Sequence, residues 1–153
     1  MALPRTYENQ NCSIARSLEV VGDRWTLLVI RAAFEGVRRF DDFAEHLGVA
    51  RNVLADRLNR LCAEGIMRKQ RYQERPDRYE YRLTRKGVGL WPAMMMLLKW
   101  GDRYYATDGP PVLVVHRGCG GTLTDRLTCD SCGAPLGPTD VEARPGPGAR
   151  TSA

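Results

Sequence analysis

Histidine is nearly absent: the 153 residues hold two, His46 and His116. With so few, no nucleophile–base–orienter set can be assembled from the sequence, so an enzyme is not the expected class. Long apolar runs are missing too. The longest apolar-rich stretch, residues 90–98, is far too short to span a bilayer and contains Pro92. No apolar run follows a basic start, so no secretory signal is read and a cytoplasmic protein is expected. Cysteine is sparse and odd in number, five in all. An odd count in a reducing compartment favours thiols or metal ligands over a disulfide framework. No internal repeat is found.

Positive charge is in excess and unevenly placed. The formal net charge is +5. Residues 68–86 carry eight Lys or Arg against three acids, while residues 109–153 carry four of each sign. The whole surplus can be assigned to one short segment. An anionic partner such as nucleic acid is one reading. A solvated, salt-bridged face is the other, and composition does not choose between them.

Residues 11–21 place apolar side chains at 14, 15, 18 and 21, a helical spacing. Gly22 ends that helix, and Asp23 is the expected N-cap of the next. The next helix, to about residue 34, is apolar nearly all round and reads as buried and central. Gly36 closes it, and "VRRF" reads as one short strand. Asp41 is expected to cap a short helix over 42–47, which Gly48 stops. A second helix, "RNVLADRLNRLCAE" at 51–64, ends at Gly65. Two helices joined by a short glycine-containing turn outline a helix-turn-helix. Residues 66–73 and 78–83 read as strands, with Tyr72, Tyr79 and Tyr81 supplying β-preferring side chains. "QERPDR" between them reads as a turn, and a basic hairpin placed after a helix-turn-helix is a wing. Thr84 caps a closing helix over about 85–106, which Pro92 should kink or divide.

At about 100° per residue, Leu54, Leu58, Leu61 and Cys62 share one face of the second helix of the pair. Asn52, Asp56, Asn59 and Arg60 lie on the other, with Arg51 at the N-terminal end. In helix-turn-helix geometry the N-terminal residues of this helix meet base edges in the major groove. Arg51 suits guanine O6 and N7, and Asn52 suits adenine N6 and N7. Lys69, Arg71, Arg75 and Arg78 on the wing, and Arg38 and Arg39 before the helix pair, are phosphate candidates. An amphipathic helix with a solvated outer face is the plainer alternative. The helix pair, the basic hairpin and the charge surplus coincide here, which favours DNA. Arg57 lies beside the buried face and is expected to pair with an acid.

These residues carry a family resemblance. Gly22-Asp23-Arg24-Trp25-Thr26-Leu27-Leu28 in the core helix, the "RRF" segment, "VLADRL" in the recognition helix and "YRLTRKG" before the last helix occur in order, with Cys12 ahead of the first helix. Over about residues 11–105 the chain resembles the HxlR-type winged-helix transcriptional regulators. The resemblance implies a homodimeric DNA-binding regulator, a repressor, whose terminal helices form the dimer interface. Its two-fold symmetry would be mirrored in an inverted-repeat operator. A small-molecule effector or a redox signal would control it, since the Cys of the first helix senses oxidants or electrophiles in some members. Where many members begin the recognition helix with Ser-Pro, this chain has Ala50-Arg51. That loses a cap worth typically about 1 kcal/mol but places a cation near the groove.

"HRGCGGTLTDRLTCDSCG", residues 116–133, falls outside that resemblance. His116/Cys119 and Cys129/Cys132 are two pairs with x2 spacing, nine residues apart, each followed by a glycine. Cys3His is a standard structural Zn²⁺ set. A segment this small builds no core, so a bound Zn²⁺ would supply its folding energy. "TLT" and "LT" between the pairs are expected to form a short hairpin. A relic ribbon without metal is the other reading. Four protein ligands would leave no open position for catalysis.

Two further features stay open between function and packing. Cys12 is a redox thiol or a packed one. Met94, Met95 and Met96 with Trp91 and Trp100 line a ligand pocket or an interface. The expected fold is mainly α with a small β-wing, a winged helix-turn-helix with helical dimerisation elements and a small C-terminal ribbon. The expected division is 1–108 for DNA binding and dimerisation, 109–136 for the zinc ribbon and 137–153 for a disordered tail. A zinc-ribbon interaction protein contacting RNA or a protein partner is the alternative function.

Overall fold

The apolar stretch "TLLVIRAAF" lies at the centre of the fold. The computed structural model describes residue 7 and residues 10–147. Helices α1 (Ser13–Val21), α2 (Thr26–Phe34), α3 (Phe40–Leu47) and α4 (Arg51–Ala63) precede strands β1 (Met67–Glu74) and β2 (Asp77–Leu83). Helices α5 (Arg85–Val88) and α6 (Trp91–Tyr105) follow, then β3 (Leu127–Thr128) and β4 (Pro135–Leu136). The chain divides into two compact units, Met1–Met94 and Met95–Ala153. No helix of the described residues is long and apolar enough to cross a membrane.

In the first unit α2 packs on α3, α4 and β2. Val29, Ile30 and Ala32 of α2, Phe43 of α3 and Leu54 and Leu58 of α4 are fully shielded from solvent. Burying one such large side chain is worth about 1.5–3 kcal/mol, so this cluster fixes how α3 and α4 meet. Gly48 turns the chain between them at φ +61, a backbone region where side chains are strained. The antiparallel β1–β2 hairpin then leaves the core, with Met67 and Tyr81 buried at its base and nearly all the rest exposed or half-exposed.

The "T-x-x-G" of the sequence has a local cause. Thr84 Oγ1 accepts from Gly87 N–H at 3.2 Å and donates to the carbonyl of Gly65. A Cβ at Gly87 would stand 2.2 Å from the Ile66 carbonyl oxygen, so only glycine lets α5 lie this close to the hairpin base.

Several expectations are corrected. "VRRF" forms no strand: one backbone bond, Tyr81 N–H to Arg38 O at 2.7 Å, replaces a ladder, and α3 already begins at Phe40. Asp41 therefore sits inside the first turn of α3 rather than capping it, and no side chain caps that helix. The wing is longer than "QERPDR" suggested, because Gln73 pairs with Arg78 and Glu74 with Asp77, leaving a two-residue turn. The closing helix is divided as Pro92 requires, into α5 and α6, with Pro92 in the first turn of α6 where its missing N–H costs little.

The second unit contains a repeat that the letters hide. Around His116, the His116 N–H donates to Gly121 O, Gly120 N–H donates to His116 O, and Val115 bridges Thr122. Around Cys129, the Cys129 N–H donates to Ala134 O, Gly133 N–H donates to Cys129 O, and Thr128 pairs with Pro135. The two turns are equivalent, thirteen residues apart. The expected hairpin between "TLT" and "LT" is absent among the described residues, because each strand residue pairs within its own turn. Of the segment read as a disordered tail, residues 148–153 lie outside the described residues.

Candidate nucleic-acid interface

Helix α4 divides as its periodicity required. Leu54, Leu58 and Leu61 are buried, while Arg51, Asn52, Asp56, Asn59 and Arg60 are exposed. Its N-terminus has no side-chain cap, as Ala50 dictates. Position is secured instead by Arg57, whose Nε donates to Asp23 Oδ1 at 2.8 Å, with both side chains about three-quarters covered. Asp23 also accepts from the N–H groups of Trp25 at 3.0 Å and Thr26 at 3.1 Å, and from the Thr26 hydroxyl. Asp23 is not the N-cap itself, which is Trp25, but its one carboxylate holds the turn leading into α2 and anchors α4. The sequence reading named Asp23 and Arg57 separately but did not join them.

Burial pushes the Asp23 carboxyl upward, but the Thr26 hydroxyl, the two N–H groups and the Arg57 charge overcome it and hold the carboxyl below its ordinary range. A lowered folded pKa stabilises above the unfolded value and ceases to do so as pH falls through the lowered one. Asp23→Ala should cost about 1–2 kcal/mol at neutral pH. Asp23→Asn keeps an acceptor but not the charge, so its urea midpoint should lie below the wild type at neutral pH and converge on it as pH falls through the lowered pKa. Midpoints equally far apart at every pH would show that the charge plays no part.

The proposed base readers are not equivalent. Asn52 and Asn59 are exposed. Arg51 already holds partners: its Nη1 meets Asp41 Oδ1 at 2.7 Å, and its guanidinium lies 4.8 Å from the Phe40 ring centroid. Asp56 pairs with Arg57. Arg60 donates to the Glu19 carbonyl, tying α4 to α1, so its guanidinium is engaged away from the outer face.

The wing cations fall into two groups. Arg71 is paired with Asp77 at 3.1 Å and Glu74 at 3.6 Å. Lys69 lies over the Tyr79 ring at 4.5 Å, and Arg39 over Tyr72 at 4.9 Å. Arg75 and Arg78, at the tip, are exposed and have no ion-pair partner among the described residues. Arg38 is half-buried. Arg68 faces Arg82 directly across the hairpin. Like charges so placed destabilise a sheet, and Glu80 offsets this by pairing with Arg82 at 2.8 Å. The tyrosines that carry these cations were read only as strand formers. Their cross-strand register with the cations, Arg71 opposite Tyr79 and Lys69 opposite Tyr81, is the signal that was available.

Cys12 is the N-cap residue of α1 and is exposed. The backbone N–H groups of Ala15 and then Ile14 lower its thiol pKa, which raises the thiolate fraction that reacts with oxidants. Cys62 is half-buried, and burial pushes its thiol up. In the second unit His116 Nδ1 stands 3.3 Å from Cys119 Sγ. The N–H groups of Cys132 and then Ser131, with the Cys132 thiol, hold Cys129 below the usual range. Among the described residues no three His, Cys, Asp or Glu side chains gather closely enough to hold one metal ion. The four ligand candidates stand as two pairs. Met94 packs against the core of the first unit.

The HxlR-like helix-turn-helix profile matches residues 20–108. An uncharacterized HTH-type transcriptional regulator of Mycobacterium tuberculosis is 44% identical over 137 residues, covering 89% of this chain and 87% of its own. The crystal structure of PA1607, a transcription-factor candidate, superposes with a TM-score of 0.81 at 36% identity, covering 90% of this chain and 97% of that one. A second candidate of this kind from Pseudomonas aeruginosa, PA1374, gives a TM-score of 0.66 at 38% identity, covering 91% and 95%. Coverage of this extent carries the likeness past residue 108, where the family profile ends. With a helix pair, an exposed polar helix face and a basic hairpin in place, the chain belongs to the HxlR-like helix-turn-helix family and is an HTH-type transcriptional regulator.

Proposed function

We propose that the protein is a homodimeric repressor that binds an inverted-repeat operator in duplex DNA. The observation that carries this is the exposed polar face of α4 beside a hairpin whose tip cations, Arg75 and Arg78, have no ion-pair partner among the described residues. Helix α4 enters the major groove by its N-terminal end, with Arg51 and Asn52 at base edges. The wing tip meets phosphates. The reading involves no catalysis, and it places the protein in the cytoplasm with its operator.

Dimerisation draws support from α6. The helix has no buried residue, although Leu97 and Trp100 are each 53% exposed and Tyr105 is 73% exposed. In α1, Ile14 is 71% exposed. Apolar surface of this kind marks association sites.

The test is selection of bound sites from random duplex DNA with the full-length protein, repeated for Arg51→Ala and Asn52→Ala. The wild type should recover a two-fold symmetric site. Each variant should relax preference at one position per half-site, at a cost of about 1–3 kcal/mol for a bidentate contact. Selection that returns no symmetric site, or variants that select the wild-type sequence, would remove this assignment.

A further inference from the structure

The second unit builds one turn twice, and the residues at matching positions are the ones that bind metals. His116 and Cys129 occupy the first position, Cys119 and Cys132 the fourth, and Gly120 and Gly133 the fifth, at φ +74 and +72. In each copy the first residue's N–H reaches the sixth residue's carbonyl, and the glycine N–H returns to the first residue's carbonyl. In the first copy this folding brings the first and fourth side chains together. His116 Nδ1 lies 3.3 Å from Cys119 Sγ. Nitrogen and sulfur sharing one tetrahedral Zn²⁺ stand about 3.6 Å apart, from bonds of about 2.0–2.1 and 2.3 Å.

Packing does not account for two such turns. No residue from 109 to 147 is buried. All five cysteines are free thiols, so no disulfide holds the segment. A structure this small and coreless requires another staple, and a metal is the usual one. The equivalence of the turns also bears on His116. It stands where the second copy has Cys129, which makes it a ligand by position rather than a neighbour of one.

We propose that one Zn²⁺ joins the two turns through His116 Nδ1 and the sulfurs of Cys119, Cys129 and Cys132, drawing together two pairs that stand apart among the described residues. Each cysteine binds as thiolate and gives its proton to solvent. The site is structural, since four protein ligands close the coordination sphere. It is independent of the DNA-binding assignment, and its test reads no DNA.

Untagged full-length protein, purified under reducing conditions without chelator, should hold about one zinc per chain by elemental analysis. Cys129→Ser and Cys132→Ser should each lose most of it. Cys62→Ser, outside the site, should keep it. His116→Ala should weaken zinc binding at least tenfold in competition with a chromophoric chelator, and His116→Cys should restore it. Co²⁺ loaded in place of zinc should show sulfur-to-metal charge transfer that Cys129→Ser diminishes. Far less than one equivalent both as purified and after Zn²⁺ loading would overturn the proposal. So would zinc that survives Cys129→Ser and Cys132→Ser, or another metal filling the site. Unchanged affinity in His116→Ala would remove His116 from it.

Discussion

Leu97→Asp combined with Trp100→Asp should yield a folded monomer whose operator affinity is lower by about 10²–10⁴, the advantage two linked half-site readers hold over one. Neither side chain is buried in the single chain, so the fold should tolerate both charges. In the proposed dimer the same positions would lie between two α6 helices, where an unpaired carboxylate costs several kcal/mol. Light scattering should give half the wild-type mass, and circular dichroism an unchanged helix content. A dimer of wild-type affinity would place the interface elsewhere.

Salt should have an effect as large. With about 6–10 phosphates neutralised per dimer, raising salt from about 50 to 200 mM should reduce operator affinity by about 10³–10⁵. Each phosphate contact removed lowers the logarithmic slope by about one. Because every variant residue occurs twice in the dimer, Arg75→Ala with Arg78→Ala should lower it by about four. The double variant should weaken all sequences alike while selecting the same site. Lys69→Ala and Arg71→Ala should change the slope less, since Lys69 is spread over Tyr79 and Arg71 is already matched by Asp77 and Glu74. A slope near zero, or a changed site preference in the wing variants, would move the phosphate contacts off the hairpin.

Much of the fold was legible because one term dominated at each place. Helix α2 is apolar nearly all round, Arg31 excepted, and lies at the core, and α4 divides at Leu54, Leu58 and Leu61 as 3.6-residue periodicity demands. Thr84 and Pro92 act through local chemistry and do what their side chains require. The errors fell where tertiary pairing decides. "VRRF" has strand propensity, but only Arg38 finds a partner, in Tyr81, so no ladder forms. Asp41 has the right chemistry for a cap but is drawn to Arg51, and α3 starts two residues earlier than expected. Arg60 is outward by periodicity and still reaches Glu19. In the second unit the repeated turn lies in backbone bonding. Its two copies share only a cysteine and a glycine in sequence, too little for comparison of letters to register.

The Arg51–Asp41 contact changes what base reading measures. A free guanidinium gains the whole value of any acceptor it meets. In the proposed complex Arg51 would instead enter the groove holding a carboxylate, which it meets here at 2.7 Å, and resting on Phe40. The pair is exposed and worth about 0–1 kcal/mol, little enough to be exchanged. The relevant quantity is then a difference between two bound states of one side chain. A guanine edge, with two acceptors matched to the fork, exceeds what Asp41 and Phe40 supply. A single acceptor, or a thymine methyl, does not, and Arg51 keeps its own partners. On the proposed reading, the acid on α3 would set a threshold below which a base goes unread.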